Sequence, residues 1–239
     1  MFRQGKPRSF IHNLRLASML SFVAGIVNIS GVLSITTLTT NLTGHFAFFS
    51  EEFVQGNYQT ALNYVSYIIA FLFGAFLCSF LVKLVLKIRP EMSHTIPMLL
   101  EMAILVSVAF ASAKSVISDE WTARALLFSM GLQNALVTKI SQATVRTTHL
   151  TGLFTDLGIE ISQLFFYRGE VESKKLWRSI YLRLAIILFF FFGGVLGGFM
   201  YSVIQLNTLL LAALSLLIAL VYENIRFGFH YYLRKLQSR

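Results

Sequence analysis

The chain has little of what soluble chemistry needs. Its one cysteine, Cys78, sits inside an apolar run, so neither a disulfide framework nor a cysteine-based metal site is available. Charge is scarce: 13% of the 239 residues are Asp, Glu, Lys or Arg, against about 25% in soluble domains. H-E-x-x-H, the P-loop, G-x-S-x-G and a strand-borne G-x-G-x-x-G are all missing. No nucleophile and base pair stands out either. The expectation is therefore a protein that is not an enzyme and that holds no metal and no cofactor.

What is there is apolar. Hydrophobic residues make up 56% of the chain, and the mean hydropathy is +0.68. Several runs approach or exceed the roughly 18 nearly uncharged residues that a membrane helix requires. These features point to an all-α polytopic membrane protein surrounded by lipid. The 20 Lys and Arg against 11 Asp and Glu give a net charge of +9. That excess does not mark a nucleic-acid binder. The basic residues gather at the ends of apolar runs, as the positive-inside rule expects.

Two stretches repeat one signature. Gly25-Ile26-Val27-Asn28 precedes Thr40-Asn41-Leu42-Thr43-Gly44, and Gly131-Leu132-Gln133-Asn134 precedes Thr148-His149-Leu150-Thr151-Gly152. A third match follows, with Gly74-Ala75-Phe76-Leu77-Cys78-Ser79 answered by Gly193-Gly194-Val195-Leu196-Gly197-Gly198. Repetition at about a hundred residues divides a single transmembrane domain, 1–239, into two units, about 12–113 and 119–225.

Each unit holds three spans. The first runs from Leu16 toward Phe53, which as continuous helix would be about 57 Å long, against a hydrocarbon core of about 30 Å. A break at Asn41–Gly44 resolves this. Span two covers about 62–82 and span three about 96–113. Span four covers about 121–140, with a continuation over 153–166, span five about 184–204 and span six about 208–222. Three is odd, so the second unit is inverted, a recurrent plan of secondary transporters. Basic segments at the N-terminus, 83–95, 168–183 and the C-terminus place both ends in the cytoplasm. The N-terminal run, long and without a convincing cleavage site, is read as an uncleaved span.

The interruptions are where binding is expected. Thr43-Gly44 and Thr151-Gly152 read as breaks followed by helix starts, with Thr as N-cap and Gly supplying backbone freedom. Such ends aim unpaired N–H groups and a positive dipole at a neighbour. Asn28, Asn41, His45, Gln133, Asn134 and His149 are positioned to add side-chain contacts. The alternative is that these polar groups satisfy one another at a kink. Glu52, Asp156 and Glu160 are candidates for proton coupling, or else form the wetted face of an interfacial helix. Glu101 and Arg124 are expected to snorkel toward the membrane surfaces. Gly194-x-x-x-Gly198 is read as a close-packing surface, with Phe189 to Phe192 as packing or lipid-facing bulk.

These motifs, G-x-x-N, T-N-L-T-G-H, G-L-Q-N-A and T-T-H-L-T-G, resemble the YoaK-like family of bacterial six-span membrane proteins, known as a domain of unknown function. The likeness covers about residues 12–225. The family pattern has Asp where Asn28 stands and Asn where His45 stands, so the chain departs at both positions. The resemblance implies a multi-pass bacterial inner-membrane protein and supplies no substrate. Two functions are carried forward: a secondary transporter or channel for a small polar or anionic solute, and a non-transporting scaffold or partner-binding subunit. A homodimer is left open by the small volume that six short spans enclose.

Overall fold

A computed structural model describes residues 10–89, 92–113, 117–140, 150–166 and 169–237. These form helices α1 (Phe10–Ile35), α2 (Leu42–Val54), α3 (Tyr58–Ile88), α4 (Thr95–Ala113), α5 (Asp119–Ile140), α6 (Leu150–Gln163), α7 (Glu170–Ile204) and α8 (Thr208–Gln237). A 3₁₀ turn, Gln205–Asn207, separates α7 from α8, and Gln205, with φ 50°, ends α7 in the left-handed region. Among the described residues there is no strand.

Three stretches are long and apolar enough to cross a bilayer: Leu14–Ile35, Tyr58–Ile88 and Val171–Tyr222, the last divided by the 3₁₀ turn. Thr95–Ala111 is a shorter apolar helix. Helix α5 falls short because Asp119, Glu120, Arg124, Gln133, Asn134 and Lys139 interrupt its apolar surface. Lipid leaves backbone groups no partner but one another, so helices are the form such segments take.

Helix α1 is central: 67% of its most apolar window is buried, against 28% for that of α3. The small and branched residues Ala17, Leu20, Val23, Ala24 and Val27 make it tolerant of neighbours on several sides. It packs along α7, and α3 packs along α5; α2 lies on α3 and α6 on α7. Helix α1 also touches α5 and α8, and α4 touches α5 and α8. Gln133, in α5, donates from Nε2 to Leu20 O at 2.6 Å and so ties the two G-x-x-N helices together.

Glycine sets the two closest approaches. A Cβ on Gly25 would overlap Phe190 O, and one on Gly193 would overlap Phe22 O. In the other pair, a Cβ on Gly74 would overlap Phe128 O, and one on Gly131 would overlap Phe71 O. Backbones meet here without an intervening side chain, which maximises van der Waals contact. The expected Gly194/Gly198 surface is shifted by one residue. Gly193 and Gly197 take the contact, the latter with its virtual Cβ 3.1 Å from Ile26 Cα. Gly194 and Gly198 line the adjoining groove.

These contacts generate a stability prediction. Gly74→Val and Gly193→Val should each cost about 1–3 kcal/mol by forcing the helix pairs apart. Gly158 has nothing within 4 Å of a virtual Cβ, so Gly158→Ala should be neutral or stabilise by up to about 1 kcal/mol. Thermal unfolding of the detergent-solubilised chain measures all three.

Candidate functional site

The first interruption is built by a chain reversal. Helix α1 stops at Thr36, a β-branched residue held at φ 51°, a conformation such residues seldom adopt. Thr37 N–H donates back to Gly31 O at 3.2 Å. The returning segment lies so close over Gly31 that a Cβ there would be 2.5 Å from Thr39 Cγ2. Thr40 Oγ1 donates to Asn28 Oδ1 at 2.9 Å, and Asn41 Oδ1 accepts from Gly44 N–H at 3.1 Å. Helix α2 then begins at Leu42.

The break therefore covers residues 36–41, and Asn41, rather than Thr43, is the N-cap. Gly44 is suited to that cap because a Cβ would stand 3.2 Å from the Asn41 amide nitrogen. Thr151 and Gly152, expected to form the second break, instead stand within helix α6, which is described from Leu150. Thr148 and His149 lie outside the described residues.

The start of α2 and the first described residues of α6 line one cavity. It measures about 1120 Å³ and is lined by Asn28, Thr40, Asn41, Thr43 and Gly44 from the first interruption. Asn134, Thr138 and Lys139 of α5, Leu150 and Thr151 of α6, Ser79 of α3 and Phe190 of α7 close it. Asn134 Oδ1 is buried there without a partner, whereas Asn28 Oδ1 is taken by Thr40. Of the residues named from sequence, the cavity brings together Asn28, Asn41, Thr43, Gly44, Asn134 and Thr151.

The others lie elsewhere. His45 is buried with Nε2 donating to Leu38 O at 2.7 Å, and its ring meets those of Tyr64 and Tyr67. It holds α2 against the reversal and α3. Gln133 points toward α1 and is not part of the lining, nor is Gly152. Lys139, unremarked in the sequence, is the cavity's charged lining residue. Its signal was a cation five residues beyond Asn134, past the point where the apolar run fades.

The proton-coupling candidates also sit away from the cavity. Glu52 is on the outer part of α2 and accepts from Asn57 Nδ2 at 2.9 Å. Asp156 and Glu160 fasten α6 to α7: Arg183 Nη1 reaches Asp156 Oδ2 at 2.7 Å, and Arg183 Nε and Nη2 reach the two Glu160 oxygens at 2.9 and 3.0 Å. Ser179 adds a fourth bond, to Glu160 Oε1 at 2.6 Å.

Neither residue expected to snorkel does so. Arg124 is turned onto α3, bonded to Ser66 Oγ at 2.9 Å and Asn63 Oδ1 at 3.0 Å, over the Trp121 ring. Glu101 is fully buried. Among the described residues no group of three or more His, Cys, Asp or Glu side chains is placed to hold a metal.

Comparison with known proteins agrees with a membrane chain and adds no activity. A family model described as protein of unknown function (DUF1275) matches residues 16–222. A UPF0700 transmembrane protein, YoaK of Bacillus subtilis (strain 168), is 28% identical over 177 residues, covering 73% of this chain and 78% of that one. No solved structure matches.

The cap at the first interruption can be tested directly. Asn41→Ala should cost about 1 kcal/mol locally and speed amide exchange at Gly44 and His45 roughly fivefold, whereas Asn41→Asp should keep the protection. Hydrogen exchange resolved over α2 reads the difference.

Proposed function

The chain belongs to the DUF1275 family of transmembrane proteins, whose membership carries no activity, and from the cavity we propose that it is a small secondary transporter or channel for an anionic solute. The observation that carries this reading is one cavity lined by the N-terminus of α2, by the first described residues of α6 and by Lys139, its charged lining residue. The positive end of a helix and a lysine both favour negative charge. Asn28, Asn134 and the threonines would supply orientation by hydrogen bonds. No chemical transformation of the solute belongs to this reading.

The membrane arrangement we infer is six spans in a bacterial inner membrane, α1, α3, α4, α5, α7 and α8, with both termini cytoplasmic. Helices α2 and α6 have 13 and 14 residues, or about 20 Å each, too short to cross a core of about 30 Å. They would run from mid-depth toward opposite surfaces. The packing pattern supports a twofold relation between α1–α4 and α5–α8. Exchanging the two sets turns the α1–α7 pair into α5–α3, α2–α3 into α6–α7 and α1–α8 into α5–α4. It maps α1–α5 and α4–α8 onto themselves.

The glycine contacts bear on how such a carrier would move. The tightest pairs each join one helix from one repeat to one from the other, α1 with α7 and α5 with α3. Each carries a half-helix, α6 on α7 and α2 on α3. The rocking bodies are then α1-α6-α7 and α5-α2-α3, not the two sequence halves. The cavity lies between them, and α4 and α8 bridge them. A homodimer would leave this geometry intact within each copy.

Reconstitution tests the proposal. Purified protein in vesicles should move at least one member of a panel of radiolabelled inorganic anions and small carboxylates, and should leave cations of matching size untouched. Thr43→Val combined with Thr151→Val, and Lys139→Gln separately, should lower that flux at least tenfold without shifting the melting midpoint. Wild-type vesicles that pass no anion would remove the carrier reading in favour of a scaffold.

A further inference from the structure

Glu101 is the most exceptional side chain in the interior. It stands on α4, six residues after Thr95, with no exposed surface and no hydrogen-bond partner for either carboxyl oxygen. Among the described residues it makes no ion pair. The groups around it confirm its isolation. Helix α4 carries no other ionisable residue. Helix α3, which also touches α4, carries the buried Cys78. Helix α5 carries Lys139 at its far end and Asp119, Glu120 and Arg124 near its start. The 3₁₀ turn and α8 from Thr208 to Val221 offer no ionisable side chain.

An ionised carboxylate in such a place would lose its hydration and gain no counter-charge, a cost far above that of the neutral acid. Ionisable groups kept inside membrane domains at such cost are characteristic of proton paths. The position fits this role. Helix α4 packs against α5, which lines the cavity, and against α8, so Glu101 stands on a helix adjoining one wall of the cavity.

We propose that Glu101 is a proton-binding site that couples proton movement to solute movement through the cavity. In this conformation it holds its proton. When α4 shifts against α5 and α8 and water reaches the carboxyl, the O–H bond breaks, its electron pair stays on the carboxylate, and water takes the proton. Re-burial requires a proton to return. The coupling half of this inference rests on the carrier reading above; the protonation of Glu101 does not.

Two measurements on the full chain in vesicles separate them. Infrared difference spectra of wild type and Glu101→Gln at neutral pH should show a protonated carboxylic C=O stretch present only in wild type; its absence would overturn the proposal. With the best-transported anion of the panel as probe, Glu101→Gln should retain counterflow exchange but lose at least tenfold in accumulation driven by a pH gradient. Undiminished accumulation would overturn the coupling. If wild type moves no anion, the carrier reading fails, and the infrared band alone decides whether the proton site stands. Glu101→Leu should melt at or above the wild-type temperature, since no bond is lost; a lowered midpoint would mean the carboxyl makes a structural bond and would count against the site.

Discussion

Everything in this fold follows from the need of each peptide group for a partner where water is absent. Unbroken helices meet that need internally, so a break within the apolar layer is tolerated only if other atoms take over the freed groups. At the first break they do. Thr37 N–H finds Gly31 O, Gly44 N–H finds the Asn41 side chain, and His45 reaches Leu38 O. The polar residues of the T-N-L-T-G motif thus hold the interruption open and line the cavity at once.

Keeping such a cavity demands firmness around it. The two glycine-mediated helix pairs provide this, because backbone resting on backbone leaves no rotamer to yield. Gly25 and Gly131 each begin a G-x-x-N motif, and each of Asn28 and Asn134 comes three residues later, most of a turn further on. The same four-residue motif therefore seals one helix pair with its first residue and lines the cavity with its last. This double use explains why the motif recurs as a unit.

Much of this was legible in the sequence. The repeated motifs located the first interruption, since Thr-Gly and Asn within apolar runs have few other uses, and they named six cavity residues. The helix start was misplaced onto Thr43 because Asn41 and Thr43 are both competent caps and only the reversal over Gly31 selects between them. Lys139 and Glu101 were not legible as site or interior groups. A lone charge near the end of an apolar run looks the same whether it reaches a surface, lines a cavity or is enclosed. The neighbouring helix decides, and that is a tertiary fact. Asp156 and Glu160 share one face of α6, but their partner Arg183 belongs to a basic segment expected at the cytoplasmic surface that the structure makes part of α7.

The two half-helices differ in a way that bears on how the molecule works. Phe48, four residues beyond Gly44, packs its ring 5.5 Å from that of Tyr64, which lies ten residues before Gly74. Asp156, four beyond Gly152, pairs with Arg183, which lies ten before Gly193. Corresponding positions thus carry an aromatic contact on one side and a charge cluster on the other. The aromatic contact is indifferent to ionic strength and strengthened by dryness. The cluster keeps access to water at Asp156, about half exposed, while Glu160 and Arg183 are mostly enclosed. The two short helices are thus fastened by unlike chemistry, α2 by stacked aromatic rings and α6 by a charge-assisted cluster around Arg183.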